Sequence, residues 1–267
     1  MINIVIYIRI ILGDSMENKD KMYHIGLSKE DIGDAKYCIL TGDPGRVETI
    51  ANYFEESKYL TDSREYKSYL CKLNGENVLV ISTGMGGPST AICVEELAML
   101  GIEKLIRVGT SGGMQIDVKA GDLVIATGAV REEGTSEEYI SLKYPAIADL
   151  DITNALIKAA NELGYTNHHG IVHCKDSFYG QHDPERMPAS KELLENWDEW
   201  LKAGVLCSEM ETASLFIVSS ILKLQAGAVL TVIWNQEREK AGLDQDSNFD
   251  NDKEIQVAIE AIKKLMK

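Results

Sequence analysis

A chain of 267 residues with 45% apolar side chains has the make-up of an ordinary globular protein, with room for one large α/β domain or two small ones. Its net charge of −15 argues against a general nucleic-acid or anionic-membrane surface and confines any phosphate site to a local cationic pocket. Cys38, Cys71, Cys93, Cys174 and Cys207 are odd in number, widely spaced and without a CxxC pair, the pattern of reduced thiols in a cytoplasmic protein.

Residues 1–12 are apolar but contain Arg9, fall short of the roughly 20 residues a bilayer span needs, and lack a small-residue cleavage site after them. An upstream start codon, an added strand and a signal peptide remain as readings, and the globular pattern is expected from about Met22. Residues 37–40 predict a strand, 41–46 a turn, and 47–54 a helix. Gly42 and Arg46 sit where a helix N-terminus favours an anion, so they form either a phosphate clamp or a turn with a surface arginine.

A hairpin follows, with strands at 66–73 and 78–82 joined by Asn74-Gly75, and Arg64 and Glu65 at its entrance. The second strand runs into Ser-Thr-Gly-Met-Gly-Gly-Pro-Ser-Thr-Ala-Ile-Cys-Val-Glu-Glu-Leu at 82–97. Here Gly84, Gly86 and Gly87 permit close backbone approach, Pro88 presets a helical turn, and Ser89 offers a hydroxyl. The stretch is a ligand-facing turn or a tight packing joint. Residues 104–113 predict another strand, ending in a glycine turn, with Arg107 among apolar neighbours. A buried guanidinium needs either an anion or a structural carboxylate partner.

Residues 121–127 predict a strand, followed by a polar loop with Glu132 and Glu133; 152–163 a helix; and 169–174 a strand. His168, His169 and His173 do not form a metal set, because neighbouring strand positions point to opposite faces and no carboxylate partner is evident. Residues 193–201, with Trp197 and Trp200, predict an amphipathic helix. In 205–211, Glu209 and Glu211 flank Met210: a carboxylate there either receives a sugar diol or caps a helix. Residues 228–233 are the last strand, 234–252 a polar connection whose part from Gln236 onward is expected to move over the pocket, and 254–266 an amphipathic helix. With no repeat and no linker, one domain over 22–267 is expected, preceded by an extension over 1–21.

The glycine-rich stretch at 82–97, together with Gly-Asp-Pro-x-Arg, Arg-Glu-Tyr, Arg-Val-Gly-Thr-Ser-Gly and Glu-Met-Glu in that order, resembles the nucleoside phosphorylase superfamily, most closely its uridine-cleaving branch. The resemblance covers about 23–267 and implies an α/β, single-domain phosphorylase/hydrolase-like fold with a central mixed β-sheet flanked by helices. It implies phosphate binding by Gly42, Arg46, Arg107 and Thr110, with Arg64 supplied by a neighbouring subunit. It implies a ribose site of Met210 and Glu211, with Glu209 close by and His24 reaching across a dimer, and a base site of Ser111, Gly112, Phe178, Gln181 and Arg186. The catalytic set is then Arg107, Gln181 and Arg186. The branch's short Gln-x-Arg is replaced here by Gln-His-Asp-Pro-Glu-Arg, so Arg186 serves only if its loop folds back.

The resemblance further implies no organic cofactor, inorganic phosphate as co-substrate, and a potassium ion held between subunits by Glu65, the Met85 carbonyl and Ser89. It implies a cytoplasmic homo-oligomer, at least a dimer and commonly a hexamer built as a trimer of dimers, with a nucleoside and phosphate as its partners. The expected reaction is phosphorolysis of uridine, with deoxyuridine or thymidine as further substrates. A purine nucleoside phosphorylase, a nucleosidase and a non-catalytic nucleoside-binding homologue are the alternatives. Asn235, standing where purine-cleaving relatives place an acid, disfavours purines because an amide cannot protonate N7.

Overall fold

The computed structural model describes residues 20–245 and 252–266. The expected 1–21 extension lies almost wholly outside the described residues, as does part of the expected mobile connection.

The sheet is assembled from β1 (Tyr37–Thr41), β2 (Glu56–Ser63), β3 (Tyr66–Leu73), β4 (Glu76–Ser82), β5 (Lys104–Gly113), β6 (Leu123–Glu132), β7 (Ala146–Ile147), β8 (Asn167–Lys175), β9 (Cys207–Glu209) and β10 (Gln225–Asn235). Its spatial order is β10-β6-β8-β9-β5-β1-β4-β3-β2, with β7 on β6. Because β10 also pairs with β5, the strands β5, β10, β6, β8 and β9 close into a ring. Pairings β1–β4, β1–β5, β5–β10, β6–β8 and β8–β9 are parallel, whereas β2–β3, β3–β4, β5–β9, β6–β7 and β6–β10 are antiparallel, so the sheet is mixed as expected.

Around it lie α1 (Lys29–Ile32), α2 (Pro44–Ala51), α3 (Gly87–Leu100), α4 (Thr135–Tyr139), α5 (Leu150–Glu162), α6 (Phe178–His182), α7 (Ser190–Lys202), α8 (Thr212–Leu222), α9 (Gln236–Lys240) and α10 (Lys253–Leu265). One apolar cluster joins α3 and α8 to a sheet face through Val94, Leu97, Leu215, Phe216 and Val124. A second joins α2, α5 and α10 to the other face through Val47, Ile50, Ile152, Leu156, Ile255 and Ile259. Parallel strands covered on both faces read as continuous apolar runs, which is why β1 and the middle of β5 were legible.

Several boundaries differ from expectation. The helix expected at 47–54 starts at Pro44, because Asp43 caps it by accepting from Gly45 N at 2.8 Å. The polar run 56–63 is an unanticipated edge strand, which makes Arg64-Glu65 the turn of a second hairpin and puts Arg64 at φ 58°. The glycines at the end of 104–113 are strand rather than turn, since β10 pairs with them through Asn235↔Gly113. A Cβ on Gly113 would sit 2.7 Å from Asn235 Nδ2, so the missing side chain allows that approach. Glu132 ends β6 instead of standing in a loop, and 236–240, expected as connection, is helical.

Candidate active site

The carboxyl ends of the parallel strands converge on a cavity of about 510 Å³. Its lining includes Gly42 and Arg46 after β1, Met85 after β4, and Arg107, Thr110, Ser111 and Gly112 on β5. Lys175 at the end of β8, Phe178, Gln181 and His182 on α6, and Ser208, Glu209, Met210 and Glu211 at β9 complete it. Ligand sites at the carboxyl edge of parallel strands follow from the crevices that diverging connections leave there.

Arg107 is 5% exposed and has the structural carboxylate partners that the second reading required. Its Nε donates to Glu209 Oε2 at 3.1 Å and its Nη2 pairs with Glu211, while its guanidinium also faces the cavity. A Cβ on Gly109 would lie 2.9 Å from Arg107 Nη2, so this glycine makes room for the guanidinium to lie along the strand. Glu209 also accepts from Glu211 N at 3.0 Å and Thr212 N at 3.0 Å, capping α8; the capping reading therefore holds for Glu209. Glu211 accepts from Gly86 N at 2.7 Å. The glycine turn between β4 and α3 thus aims a backbone donor at Glu211. Burial pushes the Glu211 carboxyl up; Arg107 opposes the shift and Glu209 reinforces it.

Arg46 pairs with Glu254 of α10, whose carboxylate also accepts from Thr231 Oγ1. Glu254 is fully buried, and burial raises its carboxyl although Arg46 and Thr231 pull it down. Nothing in the local sequence announced this residue, because its partner lies 208 positions away. Lys175 was also missed. It is 6% exposed, donates from Nζ to Ser208 Oγ at 2.8 Å, and is pushed below the ordinary lysine range by burial, with Glu209 opposing. Ser208 Oγ in turn lies 2.7 Å from Gln181 Oε1. His182 lines the same wall, and burial and then Lys175 lower its pKa, which favours the neutral ring.

Other expected residues lie elsewhere. Arg186 forms an ion pair with Asp183 at 2.7 Å and covers the Tyr179 ring at 5.4 Å, so its loop does not fold back to the cavity. His24 Nδ1 lies 2.6 Å from Glu96 Oε1, and Arg64 stacks at 5.3 Å on the exposed Tyr23 ring; neither lines the cavity of its own chain. Glu65 and Ser89 flank Gly84, and Ser89 Oγ is 3.4 Å from the Met85 carbonyl. Asn235 is fully buried: its Oδ1 caps α9 and its Nδ2 donates to Gln115 O and Val118 O. Its amide is wholly engaged with backbone. His168 and His173 do have carboxylate partners, Asp122 and Glu132, contrary to expectation. Among the described residues no group of three or more His, Cys, Asp or Glu side chains could hold a metal.

Residues 36–267 match the sequence model of the phosphorylase superfamily. A uridine phosphorylase of Treponema pallidum is 49% identical over 92% of this chain and 95% of its own length. One from Escherichia coli K12 is 36% identical over 93% and 100%. A guanosine phosphorylase of Halorubrum lacusprofundi is 39% identical over 80% and 84%. With the family's glycine and acidic motifs placed around one cavity and the match spanning nearly all of the described chain, this protein belongs to the phosphorylase superfamily.

Proposed function

We propose that the chain catalyses reversible phosphorolysis of uridine to uracil and ribose 1-phosphate. The observation that carries this reading is a single cavity with two cationic groupings, Arg46 and Arg107 beside Gly42 and Thr110, and Lys175 beside Gln181, with the Met210–Glu211 segment lining it as well. Phosphate occupies the arginine side, where the backbone of Gly42 and the Thr110 hydroxyl add donors. Ribose hydroxyls engage Glu211 against Met210. The uracil stacks by Phe178 and pairs with Gln181, with Ser111 and Gly112 on β5 beside it.

As the C1′–N1 bond breaks, its electron pair passes to uracil and a phosphate oxygen bonds to C1′. The base leaves as a delocalised imide anion that Lys175 and Gln181 stabilise, while bound phosphate faces the positive ribose. No nucleophilic side chain and no organic cofactor is required. Relatives named uridine phosphorylase at 49% and 36% identity support the reading. The guanosine phosphorylase relative keeps a purine substrate as the second reading.

We extend the proposal to the assembly. Arg64 and His24 stand at a surface carrying Tyr23, 55% exposed, and Met85, 83% exposed, which suits a subunit boundary that hands both residues to the partner's cavity. Dimers, or hexamers built from them, follow. Glu65, the Met85 carbonyl and Ser89 are hard oxygen donors around one glycine and fit a potassium ion at that boundary. No helix among the described residues is long and apolar enough to cross a membrane, in keeping with a cytoplasmic enzyme. The test is ultraviolet monitoring of base release from uridine, deoxyuridine, thymidine, inosine and guanosine, with and without phosphate. Uridine cleaved only with phosphate is the expected result. Base release without phosphate would make the protein a nucleosidase, and preference for guanosine would establish the second reading.

A further inference from the structure

Behind the wall formed by Lys175 and Gln181 lies a second cavity of about 170 Å³, lined by Glu132, His173, Trp197 and Trp200. His173 is 3% exposed; its Nε2 lies 2.5 Å from Glu132 Oε2 and its Nδ1 3.0 Å from Ser208 Oγ. Glu132 also accepts from Asn196 Nδ2 at 2.9 Å and Trp200 Nε1 at 3.1 Å. The phosphorolysis described above makes no use of this pair.

Counting donors assigns the protons. Glu132 is an anion among three donors: burial raises its carboxyl, but His173 and Asn196 bring it down to about 2. His173 Nε2 therefore carries a hydrogen. Lys175 can only donate, while a hydroxyl donates once and accepts twice. Two arrangements then satisfy Ser208. With an imidazolium, Nδ1–H donates to Ser208 Oγ and the hydroxyl proton goes to Gln181 Oε1, leaving the Gln181 amino group for the nucleoside cavity. With a neutral ring, the hydroxyl donates to bare Nδ1. Gln181 must then turn its amide over to donate into Ser208 Oγ, leaving its carbonyl for the cavity. Gln181 Oε1 lies toward Ser208 Oγ, the side-chain placement of the first arrangement.

We infer that the Glu132–His173 pair is a positioning device that sets, through the Ser208 hydroxyl, which end of the Gln181 amide meets the nucleobase. The inference rests on the uridine reading. A uracil fixed through its ribose presents carbonyl and N3–H in one order, and an inverted amide sets carbonyl against carbonyl and N–H against N–H. Discrimination is strong wherever buried polar groups are left mismatched.

The charged neighbours are few. Lys175 shares β8 and Asp176 directly after it lines the same cavity, Glu209 of β9 is engaged with Arg107, and Lys240 of α9 stands at the cavity rim. Glu237 of α9 binds Trp197 Nε1 at 2.9 Å. From α7 only neutral side chains, Leu193, Leu194, Asn196, Trp197 and Trp200, reach the pair or its cavity. Helix α8 has no charged side chain, and α5 carries Asp151, Lys158 and Glu162 at exposed positions. The Glu132 side chain is 29% exposed, which gives the pair a route for proton exchange.

The experiment measures kcat/KM for uridine between roughly pH 5.5 and 9 beside 15N spectra that report the protonation of the His173 ring. It uses the full chain, Glu132→Gln and Ser208→Ala. In the parent protein kcat/KM falls at least about tenfold as His173 loses its proton. In Glu132→Gln the carboxamide oxygen accepts from Nε2–H and Trp200 Nε1, the counter-charge that holds the imidazolium is gone, and the step moves to lower pH. In Ser208→Ala His173 still titrates, but activity no longer follows it. A step that stays in place in Glu132→Gln, a step that persists in Ser208→Ala, or a parent profile unlinked to the ring signal, overturns the inference. No uridine cleavage at any pH is a distinct result, which overturns the proposed function and this inference with it.

Discussion

Lys175 faces the nucleoside cavity with an ammonium that burial has shifted below the ordinary lysine range, Glu209 opposing the shift. Its charge is present below that lowered pKa and lost above it, so phosphorolysis should decline on the alkaline side earlier than an exposed lysine would dictate. Lys175→Met should lower kcat for uridine about a hundredfold, the scale of one pre-placed electrostatic contact, while leaving the KM for phosphate nearly unchanged. Steady-state kinetics in both substrates check this; a variant that loses phosphate affinity instead would move Lys175 to the other side of the cavity. Arg107, Glu209 and Glu211 were legible because charge inside an apolar run is locally anomalous, and Arg46 because it stands at a glycine turn that opens a helix. Lys175 and Glu254 gave no such signal, since what makes each unusual is burial created by strands distant in sequence.

The joint from β4 into α3 is organised by Gly84 and Gly86, at φ +72° and +96°. A Cβ on Gly84 would lie 2.8 Å from Glu65 Cγ, so conformation and space both demand glycine there. Gly84→Ala should lower Tm by several degrees, as strain of about 1–3 kcal/mol does, and should weaken ribose binding by shifting Gly86 N–H off Glu211. Differential scanning calorimetry and nucleoside affinity measured on the same sample test the two effects together. This element was readable as a strand, a glycine turn and a helix. The end of β5 was not: its glycines look like a turn until β10 is laid beside them, and pairing over more than a hundred residues leaves no local trace. Nor was β2 readable, because a polar edge strand lacks the alternation that a buried face imposes.

At the level of the whole molecule the family and mixed α/β fold followed from the order of the glycine and acidic motifs, whereas the proposed contribution of Arg64 and His24 to a neighbour's cavity leaves no trace within one chain. If Arg64 serves the partner's cavity, Arg64→Ala and Arg107→Ala should each be nearly inactive alone. Subunits mixed by unfolding and refolding together should regain a fraction of activity, since a mixed dimer holds one intact site. Absence of recovery in mixtures that light scattering shows to be dimeric would return Arg64 to its own surface.

Arg46 and Arg107 are paired within the protein with Glu254, Glu209 and Glu211. Where phosphate binds there as proposed, it exchanges partners with carboxylates of the protein instead of meeting bare cations, and a departing sugar phosphate leaves cations that close again on their own counter-ions, a looser grip than unpaired arginines would give.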